Sequence, residues 1–243
     1  MAALSHRAAG RGFACCAAAR GVRWCAALAL CAVSCAVSAA SDPPRPAAPR
    51  IEFTPPPPGS YVLHRIQPAP DAGLLDSDAK PRLLAPLVRG KITLLSFFYT
   101  YCADAWGCPF AYATLTGLRE TLLREPALAQ QVRFVNISFD PTNDTPQQLR
   151  AYAGALAHDP HFEWRFLTAP SLRSLLPLLD GFGQDVSVLS DSAGRPSRTR
   201  NHTLKMFLID GQGAVREIYA LDFLHPQVML NDIRTLAMEN GRH

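Results

Sequence analysis

Two hydrophobic periods alternate along this chain, and the switches between them lay out its elements. Gly90-Lys91 opens the strongest apolar run, Ile92-Thr93-Leu94-Leu95-Ser96-Phe97-Phe98-Tyr99. It is apolar almost throughout, so it reads as a central strand covered on both faces. The pattern then turns helical: Pro109 suits the first turn of a helix, Cys108 lies near its N-cap, and Leu115, Leu118, Leu122 and Leu123 recur at helical spacing. Val132 to Phe139 reads as a second buried strand ended by Asp140-Pro141, and Asp144-Thr145-Pro146 caps a helix through about Leu156. Trp164 to Leu167 suits a short strand, and Pro170 to Leu179 a helix ended by Gly181 and Gly183. Earlier, Tyr61 to Gln67 has strand-like alternation; later, residues 190 to 201 read as a polar loop. Thr203 to Asp210 and Ala214 to Ala220 flank Gly211-Gln212-Gly213 as a β-hairpin, and Pro226 to Met238 is a closing amphipathic helix. The order β-β-α-β-α-(β)-α-β-β-α predicts an α/β domain with a mixed central sheet and helices on both faces.

The first forty residues break this pattern. Arg7, Arg11, Arg20 and Arg23 precede any acid, Trp24 to Val37 is apolar, and Val37-Ser38-Ala39 or Ser38-Ala39-Ala40 offers a small-residue cleavage site. That is the layout of an export signal. An uncleaved membrane anchor is a second reading, and lipidation at Cys35 within Val33-Ser34-Cys35 a third. Residues 41–60 hold Pro43, Pro44, Pro46, Pro49 and the run Pro55 to Pro58, which predicts an extended spacer. Residues 61–243 are left as one domain with a core of its own. The four leader arginines account for the formal net charge of +4, so the remainder is near neutral. A nucleic-acid binder would show a basic face, and this chain shows none.

Cysteine placement sharpens the picture. Of seven cysteines, five (Cys15, Cys16, Cys25, Cys31, Cys35) lie in the leader. The other two, Cys102 and Cys108, share one stretch where a buried strand meets a helix. Two thiols on such a turn can close a structural disulfide, exchange with another disulfide or bind a soft metal such as copper(I). The positive end of the helix favours a thiolate, and Cys108, directly before Pro109, is the one expected to feel it most. A third ligand would separate the metal reading from the other two. Asn201-His202-Thr203 enters the late hairpin strand, and in a thioredoxin-like sheet that strand runs beside the cysteine turn. An imidazole beside two thiolates suits copper.

Several segments, in order, resemble the SCO/SenC family. They are Gly90-Lys91-Ile92 leading to Phe97-Phe98-Tyr99-Thr100-Tyr101-Cys102; Cys108-Pro109; Ser138-Phe139-Asp140-Pro141-Thr142-Asn143-Asp144-Thr145-Pro146; and Asn201-His202-Thr203 followed by Phe207-Leu208-Ile209-Asp210-Gly211. The resemblance covers roughly residues 50 to 240. It implies a thioredoxin-like three-layer sandwich with an extra N-terminal β element, and copper held by Cys102, Cys108 and His202. It also implies a tethered location on the outer face of a bacterial membrane, in the periplasm, or within mitochondria. The expected partner is a copper-accepting protein such as a subunit of cytochrome c oxidase. A thiol-disulfide reductase using the same cysteine pair, with a partner's disulfide as substrate, is the alternative. A scaffold or sensor with a structural disulfide is the third. The family spaces its cysteines C-x-x-x-C, whereas five residues separate them here, which puts Asp104 or Trp106 in reach of the site. Asn201 also stands where an acidic residue commonly precedes the histidine.

Other positions draw weaker readings. His158 and His161 flank Asp159-Pro160 and read as a loop, Met206 as core, and Asp140 as a strand end able to orient the site. Arg195, Arg198 and Arg200 make a basic loop able to steer an acidic partner. No Ser-His-Asp order, phosphate-binding glycine loop or H-E-x-x-H motif is present.

Overall fold

The computed structural model describes residues 53–102, 104–190 and 192–241. The proposed signal, anchor and lipidation site, and most of the proline-rich spacer, lie outside the described residues. Among the described residues no helix is long and apolar enough to cross a membrane.

In chain order the strands are β1 (Gln67–Pro68), β2 (Gly73–Asp76), β3 (Pro81–Leu83), β4 (Ile92–Phe98), β5 (Val132–Ser138) and β6 (Glu163–Thr168). They continue with β7 (Val186–Ser190), β8 (Pro196–His202), β9 (Lys205–Ile209) and β10 (Ala214–Ala220). The helices are α1 (Leu84–Leu87), α2 (Cys108–Leu123), α3 (Pro126–Ala129), α4 (Pro146–Ala153), α5 (Leu172–Gly181) and α6 (Pro226–Asn240). Eight strands form one sheet in the order β1-β10-β9-β4-β5-β6-β2-β3, and β7 and β8 pair only with each other.

The sheet is mixed because β4 pairs parallel to β5 and antiparallel to β9. Every residue of β4 and β5 is buried, as the unbroken apolar runs require of strands covered on both faces. Successive side chains leave a strand on opposite faces. Phe97 accordingly meets Phe182, just beyond α5, with ring centroids 5.5 Å apart, whereas Phe98 stacks on Tyr152 of α4 at 5.2 Å. Helical residues therefore cover both faces, and each fully buried Phe or Leu contributes about 1.5–3 kcal/mol. The fold is the expected α/β sandwich with an added N-terminal β element, here the β2–β3 hairpin beside β6.

Three details depart from the sequence reading. The strand expected over Tyr61 to Gln67 shrinks to β1, which pairs with the start of β10. The loop expected over 190–201 is largely the β7–β8 hairpin, because Thr199, Arg200, Asn201 and His202 continue an extended backbone against β7. The last part of the expected spacer is docked on α6. Asn231 Nδ2 donates to the Pro56 carbonyl at 2.9 Å, Gly59 N–H donates to Thr235 Oγ1 at 3.0 Å, and the Tyr61 hydroxyl donates to the buried Asp232 carboxylate. Gly59 has φ +75°, and a Cβ there would fall 2.9 Å from Met238 Sδ, so only glycine follows the helix this closely. Proline-rich chain cannot make its own core, but its carbonyls remain good acceptors for a polar helix face.

Candidate metal centre

Two arms meet at the C-terminal end of β4 and β5, where ligands gather in open α/β sheets. The first arm is the loop from β4 to α2. The buried Asp144, two residues before the start of α4, anchors it: one carboxylate oxygen accepts from Thr100 N–H (3.0 Å) and the Ser138 hydroxyl (2.6 Å), the other from the Thr100 hydroxyl. Cys102 N–H then returns to the Tyr99 carbonyl at 3.3 Å, and Gly107 N–H to the Asp104 carbonyl at 3.0 Å. Gly107 is the N-cap of α2, and a Cβ on it would stand 3.2 Å from Cys102 Sγ. Glycine thus lets the loop close over the sulfur.

Cys102 is half-buried, Cys108 is buried, and both are free thiols. The S–H of Cys108 donates to the Cys102 sulfur, which, with the N–H groups of Cys108 and Asp104 and the field of His202, pulls Cys102 down to about 5 against the cost of partial burial. Cys108 is pushed up, first by holding that shared proton and then by burial. The helix start does favour a thiolate, but on Cys102: the N–H groups of Asp104 and of Cys108, the first residue of α2, act on its sulfur, which is also the one that accepts the Cys108 S–H. The expectation for Cys108 is corrected on that ground.

The second arm is the β7–β8 hairpin, ending at His202. His202 Nε2 lies 3.9 Å from Cys108 Sγ, and its Nδ1 lies 3.4 Å from the Arg200 carbonyl. The ring packs against Phe139 at 4.9 Å and meets Tyr99 edge-on at 5.9 Å. One donor atom from each of Cys102, Cys108 and His202 lies within 4.8 Å of the other two, and no other such metal-binding group occurs among the described residues. The structure therefore brings together the three side chains chosen from the sequence, and the soft donor set of two sulfurs and one imidazole suits copper(I).

The two extra residues between the cysteines do not add a ligand. Asp104 is exposed and its Oδ1 accepts Trp106 N–H at 3.0 Å, while the Trp106 ring leans on Phe110 at 5.6 Å. Met206 is fully buried core. His158 approaches Asp78 at 3.9 Å, and His161 N–H caps Asp159, away from the cluster.

Three residues at this site were not singled out for it from sequence. Tyr99, buried just beyond β4, accepts Arg200 N–H at 3.4 Å and sets its ring edge-on to His202. Asp144 was legible only as part of a helix cap. Gln184 is buried, and its Nε2 donates to the Thr203 carbonyl next to His202 at 2.9 Å. Arg200, read as a solvated loop cation, is instead mostly buried on Asp140 at 2.8 Å.

The SCO1/SenC family profile matches residues 85–238. The chain belongs to the SCO1/SenC family. The profile spans both arms of the site, from before β4 into α6. Among relatives of this SCO1/SenC chain, a putative copper-binding protein of Stutzerimonas stutzeri is 27% identical over 178 residues, covering 70% of this chain and 81% of its own. The solved structure of Bradyrhizobium japonicum ScoI with copper bound superposes with TM-score 0.55 at 23% identity, over 68% of this chain and 97% of that one. BsSco, described with a disulfide switch as a member of the Sco family of cytochrome c oxidase assembly proteins, gives TM-score 0.55 at 24% identity, over 73% and 98%. At these identities the two structures establish the shared thioredoxin-like fold.

Proposed function

We propose that this chain is a copper metallochaperone that carries the ion on Cys102 Sγ, Cys108 Sγ and His202 Nε2 and hands it to a copper-accepting protein, such as a subunit of cytochrome c oxidase. The observation that carries this reading is the convergence of two sulfurs and an imidazole nitrogen within 4.8 Å. Copper is the cargo here. The family's link to oxidase assembly and the copper named for its relatives support the choice. Residues 1–40 are read as an export signal or anchor, which puts the domain in the periplasm or on the outer face of the inner membrane. Copper binding needs both sulfurs reduced, so loading is coupled to redox state.

One observation favours a second use of the same pair. A half-exposed thiolate at about 5 beside a buried thiol is an attacking and resolving arrangement for thiol-disulfide exchange. In that reaction Cys102 attacks a partner's disulfide, one partner sulfur leaves as thiolate, and Cys108 resolves the mixed disulfide. The pair ends oxidised and the partner reduced.

The test is anaerobic titration of the purified domain with copper(I), repeated on His202→Ala, Cys102→Ser and Cys108→Ser. The carrier reading expects one tightly held ion, weakened by loss of the imidazole and lost with either sulfur. Unchanged affinity in His202→Ala would end the three-ligand account, and turnover of a partner disulfide without stoichiometric copper uptake would leave the reductase.

A further inference from the structure

We propose that Arg200 is the positioning residue that latches His202 onto the thiol pair. This rests on the copper reading and deepens it. The hairpin carrying His202 needs such a latch, because β7 and β8 share no backbone ladder with the main sheet. A two-stranded ribbon is marginal by itself. Its orientation must come from contacts outside that sheet's ladder, and Arg200 supplies three, one through its side chain and two through its backbone.

Its guanidinium Nη2 donates to Asp140 Oδ1 at 2.8 Å, with the Arg200 side chain 16% exposed and that of Asp140 2%. Asp140 stands two residues beyond the end of β5, and its carbonyl accepts the N–H of Asn143 and Asp144. It therefore belongs to the same turn that anchors the cysteine loop through Thr100. The second contact is Arg200 N–H to the Tyr99 hydroxyl, at 3.4 Å. Tyr99 lies just beyond β4, and its ring meets that of His202 edge-on at 5.9 Å. The third is internal: the Arg200 carbonyl faces His202 Nδ1 at 3.4 Å. A carbonyl only accepts, so this contact places the ring proton on Nδ1 and leaves Nε2 with its lone pair toward Cys108. One residue thus ties the His arm to β5, ties it to β4, and selects the nitrogen offered to the metal. Groups that orient a ligating imidazole in this way are worth about 10–100-fold in metal affinity.

The test is a double-mutant cycle read by copper(I) competition and by nitrogen NMR of the His202 ring in the metal-free protein. Arg200→Ala removes the Asp140 contact and so releases the strand together with its two backbone contacts; it is expected to weaken copper about 10–100-fold, to approach His202→Ala, and to mix the ring tautomers. Arg200→Lys, which keeps the charge but not the fork, recovers part of the affinity. Arg200→Ala combined with His202→Ala is expected to be no weaker than His202→Ala alone, because Arg200 acts through the imidazole. Circular dichroism shows whether Arg200→Ala is folded; if it is not, Arg200→Gln takes its place in the cycle. Wild-type affinity in folded Arg200→Ala, additive losses, or an unaltered tautomer would overturn the latch while leaving the three-ligand site intact. Wild-type affinity in His202→Ala would remove the copper reading itself and the latch with it.

Discussion

The two arms of the metal centre are built to different standards. The cysteine arm grows from β4, whose seven residues are all buried, into a sixteen-residue helix. Its loop is pinned by two hydrogen bonds from Thr100 to one buried carboxylate, which Ser138 of β5 also holds. The histidine arm is a ribbon of two strands paired only with each other, and Val188 and Leu189 on it remain exposed. Among the contacts that hold it down are those of Arg200, Tyr99 and Gln184. Thiols set in a rigid base and an imidazole on a docked arm suit a carrier. In the proposed carrier the sulfurs define the site, and the imidazole completes it and is the ligand easiest to withdraw at transfer. In such a division, damage to the cysteine arm abolishes binding and costs stability, while damage to the histidine arm tunes binding and costs little.

The largest expected effect is therefore on the rigid side. Cys108→Ser or Cys102→Ser removes a soft ligand from the fixed base, and the proposed carrier should lose stoichiometric copper on gel filtration while keeping its fold. Copper retained at one equivalent by either variant would mean that the thiols are not the foundation of the site. Next is Asp144→Ala, which strands Thr100 N–H and the hydroxyls of Thr100 and Ser138. Losing a charged acceptor from a buried network costs about 3 kcal/mol, read as a lower denaturant midpoint at unchanged slope. Asp144→Asn keeps an acceptor and should lose less. If both variants unfold with wild-type midpoints, the carboxylate is not the anchor of the loop.

How much of this was legible beforehand follows the same division. β4, β5, α2 and α6 announce themselves because period and burial coincide over long runs, as with Ile92 to Phe98. The three side chains that converge were chosen from residue type, position and family resemblance. The histidine arm was not legible as a hairpin, since Arg198 to Asn201 are polar on both faces and carry no alternating pattern for a strand to announce. Its latch was hidden for another reason: Arg200 and Asp140 stand sixty positions apart, and no local pattern pairs them. The thiolate went to the wrong cysteine because sequence locates a helix start but not which sulfur its N–H groups face. Asp144 looked sufficient as a cap, which concealed its grip on Thr100.

The sulfurs give a pH test of which cysteine is the thiolate. In the fold Cys102 sits near 5, against about 8.5 for a free cysteine. A lowered value means that the fold favours the ionised form. That contribution is complete above the free value and is lost as pH falls through about 5. Iodoacetamide should accordingly label Cys102 before Cys108 in the metal-free protein. The rate should be nearly level from pH 8 to pH 6 and fall about tenfold per unit below 5, followed by mass spectrometry. A rate that climbs tenfold per unit between pH 7 and 8.5, or first labelling at Cys108, would reverse the assignment.

The smallest effect should come from Gln184, and its smallness is informative. Its Nε2 donates to the Thr203 carbonyl, while its buried Oε1 accepts nothing among the described residues. Gln184→Met keeps the volume, removes two made hydrogen bonds, to the Thr203 carbonyl and a longer one to the Asp185 carbonyl, and also removes one orphaned acceptor, and these act in opposite directions. The freed Thr203 carbonyl lies in an exposed residue and can turn to water. Global stability should change by less than about 1 kcal/mol. The docked ribbon pairs with no strand of the main sheet, so the amides of Thr199 to His202 should exchange severalfold faster, with those of Ile92 to Phe98 unaffected. Equal acceleration in both segments would mean that the arms open as one unit, and the contrast between a fixed thiol base and a separable imidazole would fail.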